Sequence, residues 1–128
     1  MNVRVLLVDA HEEARQSLVR TLERDGRVAV AAQVPTVTEA GAVLRDTPFD
    51  LTLMNVRSHN GAAVALCREL RELTDIPLVV LTSFMTDEHW RALRQAGAAD
   101  YLLKHANSQL LCNAIVRLAD RYLTDAGN

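Results

Sequence analysis

Five short apolar runs recur along the chain, each followed by a segment whose apolar residues fall at helical spacing. This alternation limits the fold more than any other feature. Val3–Val8 is apolar except for Arg4 and reads as a buried strand. The segment 11–24 then sets Ala14, Leu18 and Leu22 on one helical face, with Glu12 and Glu13 where the helix dipole favours acids. Asp25-Gly26 ends it, because glycine adopts the left-handed cap without a Cβ penalty. Val28–Val34 is the second strand, residues 39–45 the second helix and residues 51–54 the third strand. Leu66, Leu70 and Leu73 stripe the third helix after Gly61, and residues 78–81 open a fourth strand behind Pro77. Thr86-Asp87-Glu88 starts a helix that carries Trp90 and Leu93 and stops at Gly97. Residues 101–103 form the fifth strand, and Asn107 caps a last helix bearing Leu111, Ile115, Leu118 and Tyr122. Strand–helix alternation of this kind predicts a doubly wound α/β fold: one parallel sheet with helices on both faces.

Composition narrows the function classes. The chain has 128 residues, 14 Lys+Arg against 16 Asp+Glu, and a formal net charge of −2. A near-neutral balance excludes a domain that grips nucleic acid by bulk positive charge. No apolar stretch approaches the ~20 residues of a membrane span, and the amino terminus lacks a signal-peptide layout, so a cytoplasmic location is expected. The domain is expected to occupy residues 1–124, with 125–128 a tail or the start of a linker. Cys67 and Cys112 form no CxxC pair and are read as inert thiols near apolar helix faces.

In a parallel sheet of this class, chemistry gathers at the carboxyl ends of the strands. The residues leaving the strands are Asp9-Ala10-His11, Asn55 to His59, Thr82-Ser83 and Lys104-His105. Together they resemble the receiver domain of two-component response regulators: an acid after the first strand, a site residue after the third, Thr after the fourth, Lys after the fifth. The segment 81–111 is similar to the NarL/FixJ branch. The resemblance implies a flavodoxin-like (βα)5 sheet and, in a working receiver, two acids after strand one, a phospho-accepting Asp after strand three and a bound Mg²⁺. On that pattern Asp9 matches the first acid, Ala10 stands at the second and Asn55 at the phospho-acceptor. Thr82 matches the hydroxyl that senses the phosphoryl group, Lys104 the basic residue and Tyr101 the aromatic switch. Ser58-His59 stands where the family often has Met-Pro, and His105 where it often has Pro or Asp.

These departures remove the chemistry. An acyl phosphate needs an ionised carboxylate as nucleophile, and the Asn55 carboxamide is not one. Magnesium favours carboxylates and waters, so with Asp9 alone its binding is expected to be weak or absent. Asp9 is instead expected to pair with Lys104, with Asn55 bridging the two. An Asp→Asn change engineered at Asn55 would leave Ala10, Ser58 and His59 unexplained. His11, His59 and His105 follow strand ends, and with Asp9 they would make a tetrahedral zinc set; their spacing forms no short metal motif, and solvated loop histidines are the stronger reading. The peptide bond before His105 is expected to be trans.

The function expected is therefore a regulatory, phosphorylation-independent receiver and not an enzyme, since no GxGxxG, P-loop or nucleophile elbow appears. Its implied role is control of a helix-turn-helix transcription factor, with DNA reached only through a separate output domain. A homodimer is expected through the last helix or the surface of helix four, strand five and helix five, where Trp90, Leu93, Leu102 and Tyr122 lie. The alternative is a receiver that senses a small molecule at the pocket of Asp9, Asn55, Thr82 and Lys104.

Overall fold

A computed structural model describes residues 2–104 and 107–126. The elements alternate strictly: β1 (Val3–Val8), α1 (Glu12–Glu23), β2 (Val28–Val34), α2 (Val37–Asp46), β3 (Leu51–Val56), α3 (Gly61–Leu73), β4 (Leu78–Thr82), α4 (Asp87–Gln95), β5 (Asp100–Leu103) and α5 (Ser108–Ala126). The five strands form one parallel sheet in the order β2-β1-β3-β4-β5. This is the doubly wound arrangement that the alternation predicts, in the flavodoxin-like form that the resemblance implies.

Side chains on a strand alternate between faces, and β1 divides its residues accordingly. Leu6 and Val8 join a core with Ala40, Met54, Cys67, Leu70 and Val80, closed by helices α2, α3 and α4. Val3, Val5 and Leu7 join the opposite core with Leu22, Leu53, Leu81, Leu111 and Ile115, closed by α1 and α5. A sheet buried on both faces accounts for strands that read as unbroken apolar runs.

Helix starts follow the capping residues. Thr36 caps α2, Thr86 caps α4 and Asn60 caps α3, each side chain accepting a hydrogen bond from a backbone N–H of the first turn. The cap at Thr36 begins α2 two residues earlier than the apolar pattern indicates, at Val37 rather than Glu39. Gly26 and Gly97, at φ +85° and +115°, take the left-handed conformation after α1 and α4. At Gly97 a Cβ would collide with Arg71, so this stop also needs the missing side chain.

Two expectations change. The buried stripe of α3 is Ala63, Cys67 and Leu70, while Leu66 and Leu73 are 36% and 47% exposed. The small residues let the helix lie close to the sheet, which the larger leucines on its flank would prevent. Strand β3 continues past Met54 to Val56, so Asn55 belongs to the ladder and pairs with Leu81 of β4. Helix α5 runs to Ala126.

Candidate functional site

The carboxyl edge of the sheet carries two separate groups of polar side chains. The first is centred on Asp9, which leaves β1 almost fully buried at 4% exposure. Its Oδ1 accepts from the His11 backbone N–H at 3.0 Å and its Oδ2 from Asn55 Nδ2 at 2.9 Å. Arg57 Nη2 donates to both carboxylate oxygens at 3.0 Å. A buried carboxylate is thus supplied with a full set of donors from the protein itself. Asn55 spends its amide N–H on Asp9, and its buried Oδ1 has no partner among the described residues.

The expected partner of Asp9 is replaced: the ion pair is made by Arg57, not Lys104. Strand order supplies the reason. Neighbouring strands lie ~4.8 Å apart; Arg57 leaves β3, adjacent to β1, whereas Lys104 leaves β5, three strands away. Arg57 also stands two residues after Asn55, so strand period two sends both toward the same side. That spacing was the signal available in the sequence. Lys104 makes no ion pair among the described residues. Partial burial and the charge of Arg57 push its amine below the usual lysine range, and Asp9 offsets this in part.

The second group surrounds Thr82, which is 1% exposed at the end of β4. The Thr82 hydroxyl donates to the Phe84 carbonyl oxygen at 3.2 Å. His59 Nε2 lies 2.8 Å from the same carbonyl and 3.1 Å from Thr82 Oγ1. Because a carbonyl only accepts, Nε2 carries the proton. The His59 ring stacks on His89 of α4 with centroids 4.5 Å apart and meets the Phe84 ring edge-on at 5.0 Å. His59 is therefore not the solvated loop histidine that the sequence suggests, and His89 is a participant that the sequence reading left unassigned.

The remaining candidates are placed as follows. Ala10 lies at the rim and is exposed. Tyr101 is half-buried against Trp90, with ring centroids 5.0 Å apart. Leu102 and Tyr122 pack against the core beneath α5, and Tyr122 Oη donates to the Ala99 carbonyl at 3.0 Å. Much of the surface expected to mediate dimerisation is therefore engaged within the domain. His11 caps α1 and His59 faces Thr82, so neither is committed to a shared metal site, and no group of three ligating side chains gathers among the described residues. His105 and the peptide bond preceding it lie outside the described residues. Cys67 and Cys112 are buried free thiols; burial pushes Cys67 up to about 11. Burial, helped by Asp25, also raises Cys112.

With fold and site in view, the comparisons are decisive about kinship. The model of the response regulator receiver domain matches residues 5–116. The chain belongs to the response regulator receiver family. This receiver is 33% identical over 114 residues to the DNA-binding transcriptional activator DevR/DosR of Mycobacterium tuberculosis, covering 88% of this chain and 52% of that protein. It is 31% identical over 114 residues to the transcriptional regulatory protein LiaR of Bacillus subtilis, covering 88% and 54%. The receiver thus spans about half the length of the curated relatives it matches. Among solved structures it superposes on a LuxR-family two-component response regulator from Aurantimonas with a TM-score of 0.77, 24% identity and coverage of 94% and 86%. It also superposes on the signal receiver domain of the putative response regulator NarL from Mycobacterium tuberculosis, with a TM-score of 0.75, 23% identity and coverage of 93% and 97%. No described helix is long and apolar enough to cross a membrane.

Proposed function

We propose that this receiver regulates without accepting a phosphoryl group, and that it controls an attached helix-turn-helix output domain through which DNA is reached. The observation that carries this reading is Asn55, whose amide N–H is hydrogen-bonded to Asp9 at the expected phosphorylation position. A carboxamide supplies neither the charge nor the nucleophilic oxygen of an acyl-phosphate acceptor. The residues here also fit magnesium poorly. Ala10 offers no ligand atom, and the one carboxylate already accepts from Arg57, Asn55 and the His11 amide. A hard dication would have to displace a guanidinium that neutralises the same charge.

The test is incubation with a radiolabelled small phosphodonor and Mg²⁺. No acid-stable or acid-labile label is expected on this chain, whereas Ala10→Asp combined with Asn55→Asp is expected to restore Mg²⁺ binding. Stoichiometric labelling of the unmodified chain would overturn the reading.

Homodimerisation belongs to the same proposal. With Trp90, Leu102 and Tyr122 half-buried, the exposed leucines 103, 110 and 123, at 40%, 53% and 47%, are the large apolar side chains left for a partner on β5 and α5 among the described residues. Sedimentation of the domain alone, showing only monomer at high concentration, would count against it.

A second reading, sensing of a small molecule at the same edge, is favoured by a specific feature. A crevice of about 430 Å³ opens beside Asp9, Asn55 and Arg57.

A further inference from the structure

The crevice lies outside the carboxyl ends of β1 and β3. In the order β2-β1-β3-β4-β5 this is where the chain reverses its direction of winding, the place where open parallel sheets take their ligands. Its volume of about 430 Å³ falls within the ~300–1,000 Å³ typical of small-molecule sites.

Three observations describe what a ligand would meet there. The first is an apolar wall of Ala10, Pro35, Val37, Ala63 and Leu66. Ala10 stands where a working receiver has an acid, and Leu66 is a large apolar side chain that the fold leaves 36% exposed. The second is that the charges of the lining are already matched. Among its described residues Asp9 is the one acid and Arg57 the one permanent cation, and the two are bound to each other at 3.0 Å. The His11 ring, also in the lining, accepts the Ala14 N–H at Nδ1, so that nitrogen holds no proton. A charged ligand would lose its water on entering and find no free counter-charge, a costly exchange. The third is one hydrogen-bonding atom left open. Asn55 Nδ2 donates to Asp9, whereas its Oδ1 is buried and has no partner among the described residues. A carboxamide oxygen only accepts, so it selects a donor.

We propose that this crevice binds a small, neutral, apolar compound carrying one N–H or O–H donor, its body against Val37, Ala63 and Leu66 and its donor on Asn55 Oδ1. The terminal torsion of asparagine is soft, so a small turn of the carboxamide presents Oδ1 to the crevice while Nδ2 stays on Asp9. Occupancy relieves a buried acceptor left unpaired and places the ligand on the residue at the expected phosphorylation position. The proposal rests on the ligand-sensing reading of the same edge and names the ligand class for it.

The test is a titration of the isotope-labelled 128-residue chain, followed by its amide NMR signals, with indole, 1-methylindole and indole-5-carboxylate. Indole is neutral and has one donor; methylation removes the donor, and the carboxylate adds a charge. Indole is expected to shift the backbone amides of Ala10, Ala63 and Leu66 saturably and to move the Asn55 side-chain amide signal. 1-Methylindole should bind about two- to tenfold more weakly, the scale of one neutral hydrogen bond, and indole-5-carboxylate more weakly than indole by at least as much. Leu66→Asp, at an exposed position, should weaken indole severalfold with the fold intact; an unchanged affinity would overturn the placement. Equal affinity of indole and 1-methylindole, or tighter binding of the carboxylate, would overturn the ligand class and leave ligand sensing at this edge standing. If none of the three moves the crevice amides, the proposal and the ligand-sensing reading fall together.

Discussion

The two polar groups at the sheet's carboxyl edge are built on different physics. At β1 and β3, Asp9, Arg57 and Asn55 form a charged knot around a buried carboxylate. At β4, Thr82, His59 and the Phe84 carbonyl form a set of short hydrogen bonds, flanked by the stacked ring of His89. A charge removed from water is costly to orphan, whereas a hydroxyl that loses one partner costs far less. The first group should therefore hold the edge together, and the second should set only the position of the loop after β4.

Arg57→Ala breaks this comparison most severely. It leaves the Asp9 carboxylate buried with only its neutral donors. Loss of a buried pair's partner costs ~3–5 kcal/mol; the 40% exposure of Arg57 reduces the expected loss to about 2 kcal/mol, read from the midpoint of urea unfolding. A midpoint within error of the unmodified chain would show that the ion pair is ornamental. His59→Ala should cost about 1 kcal/mol or less. Its clearer signature is faster amide hydrogen exchange in the loop 83–86 with no change around Asp9. Equal acceleration at both groups would mean that the edge behaves as one unit.

Lys104 sharpens the contrast further, because it carries charge but makes no ion pair among the described residues. Its amine is pushed down chiefly by partial burial and then by Arg57, so the protonated form is disfavoured in the folded state. That penalty is present in full at neutral pH and is relieved as pH rises through the lowered value toward 10.5. Lys104→Met should be neutral or slightly stabilising at pH 7, and it should abolish a small alkaline gain in stability that the unmodified chain shows. The thiols give the smallest effect. Cys67, raised to about 11 by burial, should resist an aromatic disulfide reagent at pH 8 that modifies it at once in urea. Above pH 9 only the unfolded chain can ionise this thiol readily, so stability should fall as pH climbs toward 11.

Where the sequence was legible, single residues carried enough information. Val3–Val8 and Val28–Val34 are strands because they are short aliphatic runs bounded by turn formers, and the structure places both with those limits. Asp9, Asn55 and Thr82 were located because each directly follows or ends such a run. Two choices were not legible. Both Arg57 and Lys104 leave strand ends; the Asn55–Arg57 spacing is a partial signal, and the spatial order of the strands decides which cation reaches Asp9. Likewise hydrophobicity alone selects Leu66 and Leu73 as the buried face of α3, whereas packing selects Ala63 and Cys67, whose small volume admits the helix to the sheet. Distance across a sheet and closeness of approach are properties of the assembled layers.

Trp90, the chain's one tryptophan, leans on Tyr101 at 5.0 Å between ring centroids. This contact makes the domain its own optical reporter. Any event at the sheet edge that turns the Tyr101 ring must alter the polarity and quenching around the indole. Emission colour and lifetime would then record the position of the Tyr101 ring in unlabelled protein, in real time.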